Sequence, residues 1–258
     1  MKIYFYWLGI LALSACFSVN AADIDRVEVE KRLANAKKDH PADLRRKDLT
    51  ELDLSALDLK HADLWGSDLR RANLSNSDLS GLNLDLSVMT KINLSGANLS
   101  NSSIFGVHMG NANLSNANLK GSRFISVLDR ANLQHADLSN ADWGVDMKNQ
   151  PMGLMRVSLN NANLSGANLT NANLNRALMR FAKLDGAILK NTILFGADLS
   201  GADFTNADLS GADLSETKLE STHFTGANLA GTRFSGVKDK SKLIGLDSAK
   251  NLDKAIFK

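Results

Sequence analysis

Five histidines and a single cysteine carry the widest chemical repertoire in this chain, and their placement decides what chemistry is open to it. His40, His61, His108, His135 and His223 stand at no spacing that gathers ligands in a motif, so no metal centre is expected. Aspartates are plentiful. Pairs such as Asp43 with Asp63 and Asp58 with Asp78 would repel as neighbours and raise one pKa, the first requirement of an acid–base couple. Yet these aspartates recur at one fixed place in a repeating pattern, where a short carboxylate can bond the backbone of the adjoining turn. No Ser/His/Asp constellation, phosphate-binding glycine loop or dinucleotide fingerprint occurs. The expectation is a protein with neither catalysis nor cofactor.

Cys16 is a different case because of what precedes it. Lys2 gives a short positive start, and residues 3–15 form an apolar stretch, too short for the ~20 helical residues that span a bilayer. Such a segment is expected to be an export signal that sends the mature chain to the periplasm of a Gram-negative-type envelope. Two cleavage readings stand side by side. Leu13-Ser14-Ala15-Cys16 resembles the lipobox of bacterial lipoproteins; residues 1–15 would be removed and a lipid on Cys16 would attach the chain to the outer membrane. Val19-Asn20-Ala21 fits the small-x-small rule of ordinary signal peptidase, which would remove residues 1–21 and leave a soluble protein. The coincidence of the chain's only cysteine with the lipobox position favours the lipid. Under either reading no disulfide staples the fold.

The element that must position every other side chain is a five-residue repeat. Thirty-seven apolar centres recur at this spacing, first at Leu44 and last at Phe234, although only 44% of the chain is apolar. The frame slips once, between Phe124 and Asp129, so that Leu133, Leu138 and Trp143 keep the spacing one residue out of step; it resumes at Leu154. An α-helix would scatter such centres round its axis, and a strand would alternate them between its faces. A chain that turns a corner once per repeat buries them all. Two residues before the centre stands a small residue, as in Ala62, Ala97 and Ala202, where a second inward position needs little volume. Two residues after it, Gly and Asn predominate, as in Gly96, Asn101, Gly201 and Asn206, the types that tolerate a left-handed backbone at a tight turn.

Ala62-Asp63-Leu64, Ala72-Asn73-Leu74, Ala97-Asn98-Leu99, Ala162-Asn163-Leu164 and Ala212-Asp213-Leu214 match A(D/N)LxX, and in this the chain resembles the pentapeptide-repeat family over residues 42–236. The resemblance implies an all-β fold, a right-handed quadrilateral parallel β-helix with four repeats per 20-residue coil. About nine coils at ~4.8 Å would make a rod roughly 45 Å long. Residues 20 apart should stack, and Ser55, Ser75, Ser95 and Ser115 form such a column, as do Phe204 and Phe224 in the core. Residues 22–41 are expected to hold an amphipathic capping helix over 24–38, stopped by Pro41, and residues 237–258 a second helical cap on Leu243, Leu246, Ala249 and Leu252. Residues 144–151 read as a loop thrown out between coils.

The best-understood members of the resembled family are acidic rods that mimic DNA and bind gyrase, giving quinolone resistance. A ~45 Å mimic would need on the order of 25 net negative charges. This chain has a formal charge of +2. Its strongest acidic cluster, Asp198, Asp203, Asp208, Asp213, Glu216 and Glu220, covers little more than one coil, so no nucleic-acid partner is expected. Lys37, Lys38, Arg45, Arg46 and Lys47 could meet anionic headgroups if Cys16 is anchored, or be a solvated rod end. One outward column, Arg45, Trp65, Asp85, Phe105 and Ile125, departs from a polar exterior. Trp65, Phe105 and Ile125 are the expected contact residues for a protein partner in the envelope; the alternative is that the chain's own segments cover them. The reading is a non-catalytic, exported binding scaffold, with a DNA-mimic gyrase regulator and, behind it, a glycan-active β-helix as its rivals.

Overall fold

The computed structural model describes residues 22–145, 155–237 and 239–257. The export segment, Cys16, Leu154 and most of the expected loop lie outside the described residues. Among those described, the chain winds as a parallel β-helix whose neighbouring coils pair at four places per turn. The pairs Asp48 with Asp68, Asp53 with Asn73 and Asp58 with Asp78 are isolated bridges, and β1 (Ala42–Asp43) with β2 (Ala62–Asp63) completes the set. All four pairings are 20 residues apart.

One repeat shows why the sequence takes this path. Leu94 is fully buried; its N–H donates to the Asn113 carbonyl of the next coil at 2.7 Å, and the Asn113 N–H donates to the Ile92 carbonyl at 2.9 Å. The corner is closed by the Ala97 N–H on the Leu94 carbonyl at 3.0 Å, with Gly96 at φ +66° between them. Glycine suits the left-handed backbone there and leaves room for the Asn76 side-chain oxygen, which a Cβ would displace. Ala97, fully buried, brings the chain back inward at the second inward position of the repeat, which Ile92 fills ahead of Leu94. Burying each leucine contributes roughly 2 kcal/mol, and the backbone N–H groups of residues 92–96 are all paired as it does so.

The aspartates and asparagines ahead of each centre close the outside of the same corner. The Asn93 side-chain oxygen accepts the Ser95 N–H at 3.2 Å and the Asn113 amide at 3.2 Å, while its own Nδ2 donates to the Asn73 oxygen at 2.8 Å. The ladder runs from Asp53 through Asn73, Asn93 and Asn113 to Asn132. Neutral amides stack there without repulsion, donor to acceptor, as a column of carboxylates could not.

The register departs from 20 in three places. Asn113 pairs with Asn132, and Asn118 with Asp137, each 19 apart. The deletion falls between Phe124 and Leu128, and Leu128, fully buried, is a centre that the five-residue count passes over. Here β3 (Ser103–His108) and β4 (Arg123–Val127) run as true parallel strands with an irregularity between Phe105 and His108. Elsewhere a serine two residues before a centre donates back to a carbonyl three residues earlier, as Ser67, Ser77, Ser87 and Ser102 do at 2.6–2.7 Å. Ser126 holds the same place ahead of Leu128, but the corner carbonyl is gone and its buried hydroxyl has no partner. That costs about 1–3 kcal/mol. Trp143, a centre of the shifted frame, stacks on Phe124 with ring centroids 4.8 Å apart and donates its Nε1 to Ser122 at 3.1 Å. The next coil is longer: Val127 pairs with Ser158, Asn132 with Asn163, Asp137 with Asn168 and Asp142 with Asn173, each 31 apart.

Both ends differ from expectation. Helix α1 (Arg26–Leu33) is shorter than 24–38 and ends well before Pro41, because an antiparallel bridge between Lys37 and His40 takes over the backbone there. Asp25 caps it by accepting the Glu28 N–H, and Val29, fully buried, plugs the core. In every later coil the carbonyls ahead of the centres accept N–H groups from the coil before, as Asp63 does from Leu44. In the first coil α1 and the residue Asp23 ahead of it supply donors. Arg32 reaches the Asp43 carbonyl at 2.8 Å, Arg26 the Asp53 and Ser55 carbonyls at 3.1 and 3.2 Å, and the Asp23 N–H the Asp48 carbonyl at 2.8 Å. At the other end the expected helical cap is instead a last winding of the coil. Ile244, Lys250 and Ile256 pair in parallel with His223, Asn228 and Arg233, separated by 3-10 turns at Lys240–Lys242, Leu246–Ser248 and Leu252–Lys254. The three-residue apolar spacing reflects those turns. Phe257 closes the core by stacking on Phe234 at 4.8 Å, and Lys240 Nζ lies 3.5 Å above its ring.

Two outcomes follow from this wiring. Leu94→Asp buries an unpaired carboxylate and should cost several kcal/mol in chemical denaturation, while Ser95→Asp, one residue outward, should cost under about 1 kcal/mol. Arg26→Ala with Arg32→Ala strips donors from three edge carbonyls and should lower stability by about 2 kcal/mol and promote self-association, whereas Lys31→Ala, which serves no carbonyl, should be neutral within about 0.5 kcal/mol.

Candidate functional site

The outward column is in register. The N–H groups of Arg46, Gly66 and Leu86 donate to the carbonyls of Trp65, Asp85 and Phe105, and Phe105 faces Ile125 across β3 and β4. Asp85 is a fixed strut in it, its carboxylate accepting the Phe105 N–H at 2.8 Å.

The three expected contact residues do not share one environment. Phe105 is 37% exposed. Trp65 is half-buried, with the Arg46 guanidinium 5.0 Å from its ring centroid. Ile125 is only 2% exposed, which corrects its expected place on an open contact surface: where β3 and β4 replace a turn, it sits in the wall beneath the surface. In and next to this column Leu86, 54% exposed, Val88 and Phe105 are uncovered, with Leu86 lying over Gly106. Val88 was not singled out by sequence reasoning, although a signal was present. It stands directly before a centre, where Asp68 and Asp78 keep the exterior polar, and Ile188 and Ile193 break the same rule. Beside Phe105 is an open hollow of about 550 Å³ lined by Val107, His108, Val127, Met155 and Leu178.

Several charged side chains are bound to their own fold. In the acidic cluster, Asp198 lies 3.9 Å from Lys218, Asp208 lies 3.4 Å from Lys190 and Asp213 lies 2.8 Å from Arg233. Burial raises the pKa of Asp213, but bonds from Arg233 and Ser215 outweigh it and leave the carboxyl below its ordinary value. Asp208 is lowered in the same way, burial being opposed by Ser210 and Lys190. Asp43 is lowered by Arg45, Asp48 by Thr50 and Asp53 by Ser55. Such groups are committed to the ionised form and are poor proton donors at neutral pH. Among the described residues no three His, Cys, Asp or Glu side chains gather as metal ligands, and no helix is long and apolar enough to cross a membrane.

Comparison with known proteins agrees with the winding. The family model for pentapeptide repeats matches in 8 copies over residues 53–90, 92–127, 154–191 and 197–236. Comparison with the curated proteins gave no match. Among solved structures, the chain is similar to HetL, a pentapeptide repeat protein involved in heterocyst differentiation regulation from the cyanobacterium Nostoc sp. strain PCC 7120. That similarity is 29% identity over 90% of this chain and 94% of the other, with a TM-score of 0.38. It is also similar to Rfr23 from the cyanobacterium Cyanothece 51142, at 26% identity over 51% of this chain and 91% of that one, TM-score 0.39. A trypsin-treated form of QnrB1, a plasmid-mediated fluoroquinolone resistance protein, matches at 23% identity over 69% and 86% of the two chains, TM-score 0.36. With the repeat matched over more than half its length and the coils pairing as the repeat demands, the chain belongs to the pentapeptide-repeat family, whose fold is a right-handed β-helix.

Proposed function

We propose that this protein is an exported, non-catalytic pentapeptide-repeat scaffold that binds a protein partner in the bacterial envelope. In this reading about nine coils close into a rod roughly 45 Å long. The chain reaches the periplasm on its N-terminal apolar segment and is held at the outer membrane by a lipid on Cys16, or is released as a soluble protein after Ala21. The contact surface is the flank bearing Leu86, Val88 and Phe105, with Trp65 at its margin and Ile125 stiffening it from below.

One observation carries the reading. The polar side chains are spent on the rod itself, in turns and inter-coil ladders, whereas Leu86, Val88 and Phe105 stand uncovered on a wall that cannot collapse onto them. Apolar groups held rigidly in water lose little entropy on contact, which is how a small patch becomes a binding hot spot. The gyrase-regulator alternative fits the fold but not the charge. The ladder that could imitate a phosphate backbone is asparagine through Asn73, Asn93, Asn113 and Asn132, and in the acidic cluster Asp198, Asp208 and Asp213 are paired with Lys218, Lys190 and Arg233. A glycan-cleaving β-helix would need a proton donor, and the carboxyls displaced by their surroundings are displaced towards the ionised form.

The test is a pull-down from envelope fractions with the wild-type chain and with Leu86→Ala plus Phe105→Ala. The variant should keep its circular dichroism and melting temperature and lose the partner, a loss of about 2 kcal/mol or more. A markedly lower melting temperature would make the flank structural. Retention of gyrase by the wild-type chain, with inhibition of supercoiling, would replace this reading with the regulator.

A further inference from the structure

Trp65 has a second neighbourhood, which the outward column does not explain. It closes one side of a groove of about 430 Å³. The N-terminal segment forms a wall, brought over the first coils by the Lys37–His40 bridge, and contributes Lys38. The floor is Ala62 and Leu82, both buried. At the lip stands Gly81, where an added Cβ would meet nothing within 4 Å.

The groove's polar groups are held in place before any ligand arrives. Arg45 Nε lies 2.9 Å from Asp43 Oδ1 and 3.5 Å from Asp63 Oδ2. Lys60 Nζ lies 3.1 Å from Asp58 Oδ2 and 3.8 Å from Asp78 Oδ2. These exposed pairs add little stability, but they fix the two cations along the groove and leave other N–H donors free to face it. Among the described residues Lys38 has no ion pair. His61 adds a ring nitrogen, and Asp63 and Asn83 supply acceptors on the same lining. Arg46, over the Trp65 ring from the adjoining corner, holds the indole plane.

We propose that this groove binds an acidic saccharide, with a sugar ring against Trp65 and its carboxylate met by Lys38, Arg45 and Lys60. An indole wall presents a flat apolar face to the C–H side of a pyranose, and the mixed donors and acceptors around it match hydroxyls. Lys38, which has no ion pair among the described residues, favours an ionised sugar over a neutral one, while Arg45 and Lys60 share their charge with Asp43, Asp63, Asp58 and Asp78 and add directed donors. The site does not depend on the scaffold reading.

The indole itself supplies the readout. The chain has three tryptophans: Trp143 is stacked on Phe124 and 1% exposed, and Trp7 is removed by Trp7→Phe. In the full chain carrying Trp7→Phe, titration with trigalacturonic acid should change the emission of Trp65 saturably. Neutral galactotriose should produce no saturating change. Lys38→Ala and Lys60→Ala, with unchanged circular dichroism, should each weaken the acidic sugar about tenfold, the loss of one charged hydrogen bond. The proposal is overturned by no saturation up to about 10 mM, the weak end of specific binding. Equal response to tetraglutamate, which would mark an acidic-peptide surface, or affinity unchanged in both lysine variants would overturn it as well.

Discussion

The structure rests on a single coupling: each buried centre is placed by a backbone ladder to the coils on either side. Leu94 can point inward only because its own N–H is taken up by Asn113 and the adjoining strand by Ile92, and the same holds for each repeat along the rod. The contacts are therefore between nearest neighbours, and stability accumulates coil by coil instead of round a single central core. Such a ladder has two open edges, and the chain closes them by different means. At the start, two arginines of α1 and the Asp23 amide imitate the missing coil. At the end, a loosened coil turned by 3-10 elements runs out under Phe257.

The same coupling explains where surface chemistry can vary. Inward positions tolerate little change of volume, and the residues flanking each corner are engaged in turns. The outward places beside the centres, and the corners between, are free to differ as long as the ladder survives. That freedom is where Trp65, Val88 and Phe105 occur, and where the cations of the N-terminal groove stand. A rigid rod with local decoration binds by presenting side chains that are already ordered, so its specificity lies in which positions depart from Asp, Asn and Ser.

Much of this was legible in the sequence because the period is strict. The centres, the small inward alanines, the left-handed corners and the stacking of Phe204 on Phe224, 5.5 Å apart, follow from counting by five and by twenty. Counting fails where the period does. Removal of one residue before Leu128 turned a corner into strands β3 and β4, which buried Ile125 and left Ser126 without its carbonyl. The C-terminal leucines misled because a spacing of three fits successive 3-10 corners as well as a helix. The groove beside Trp65 was hidden for another reason: Lys38, Lys60 and Trp65 meet only through the fold of the N-terminal segment over two coils.

The central claim is the register, 20 residues for most coils but 31 across the long one, and engineered disulfides read it directly. In a Cys16→Ser background, Gln134→Cys with Ser165→Cys should oxidise as readily as Ser95→Cys with Ser115→Cys, because His135 donates to the Ser165 carbonyl at 3.1 Å just as Gly96 donates to that of Ser115 at 2.9 Å. Asn140→Cys with Asn160→Cys, a pair that an unbroken 20-residue register would join, should stay reduced, because Asn140 instead meets Asn171. Ready cross-linking of 140 to 160, with 134 and 165 unlinked, would contradict the coil geometry on which the flank and its neighbouring hollow depend.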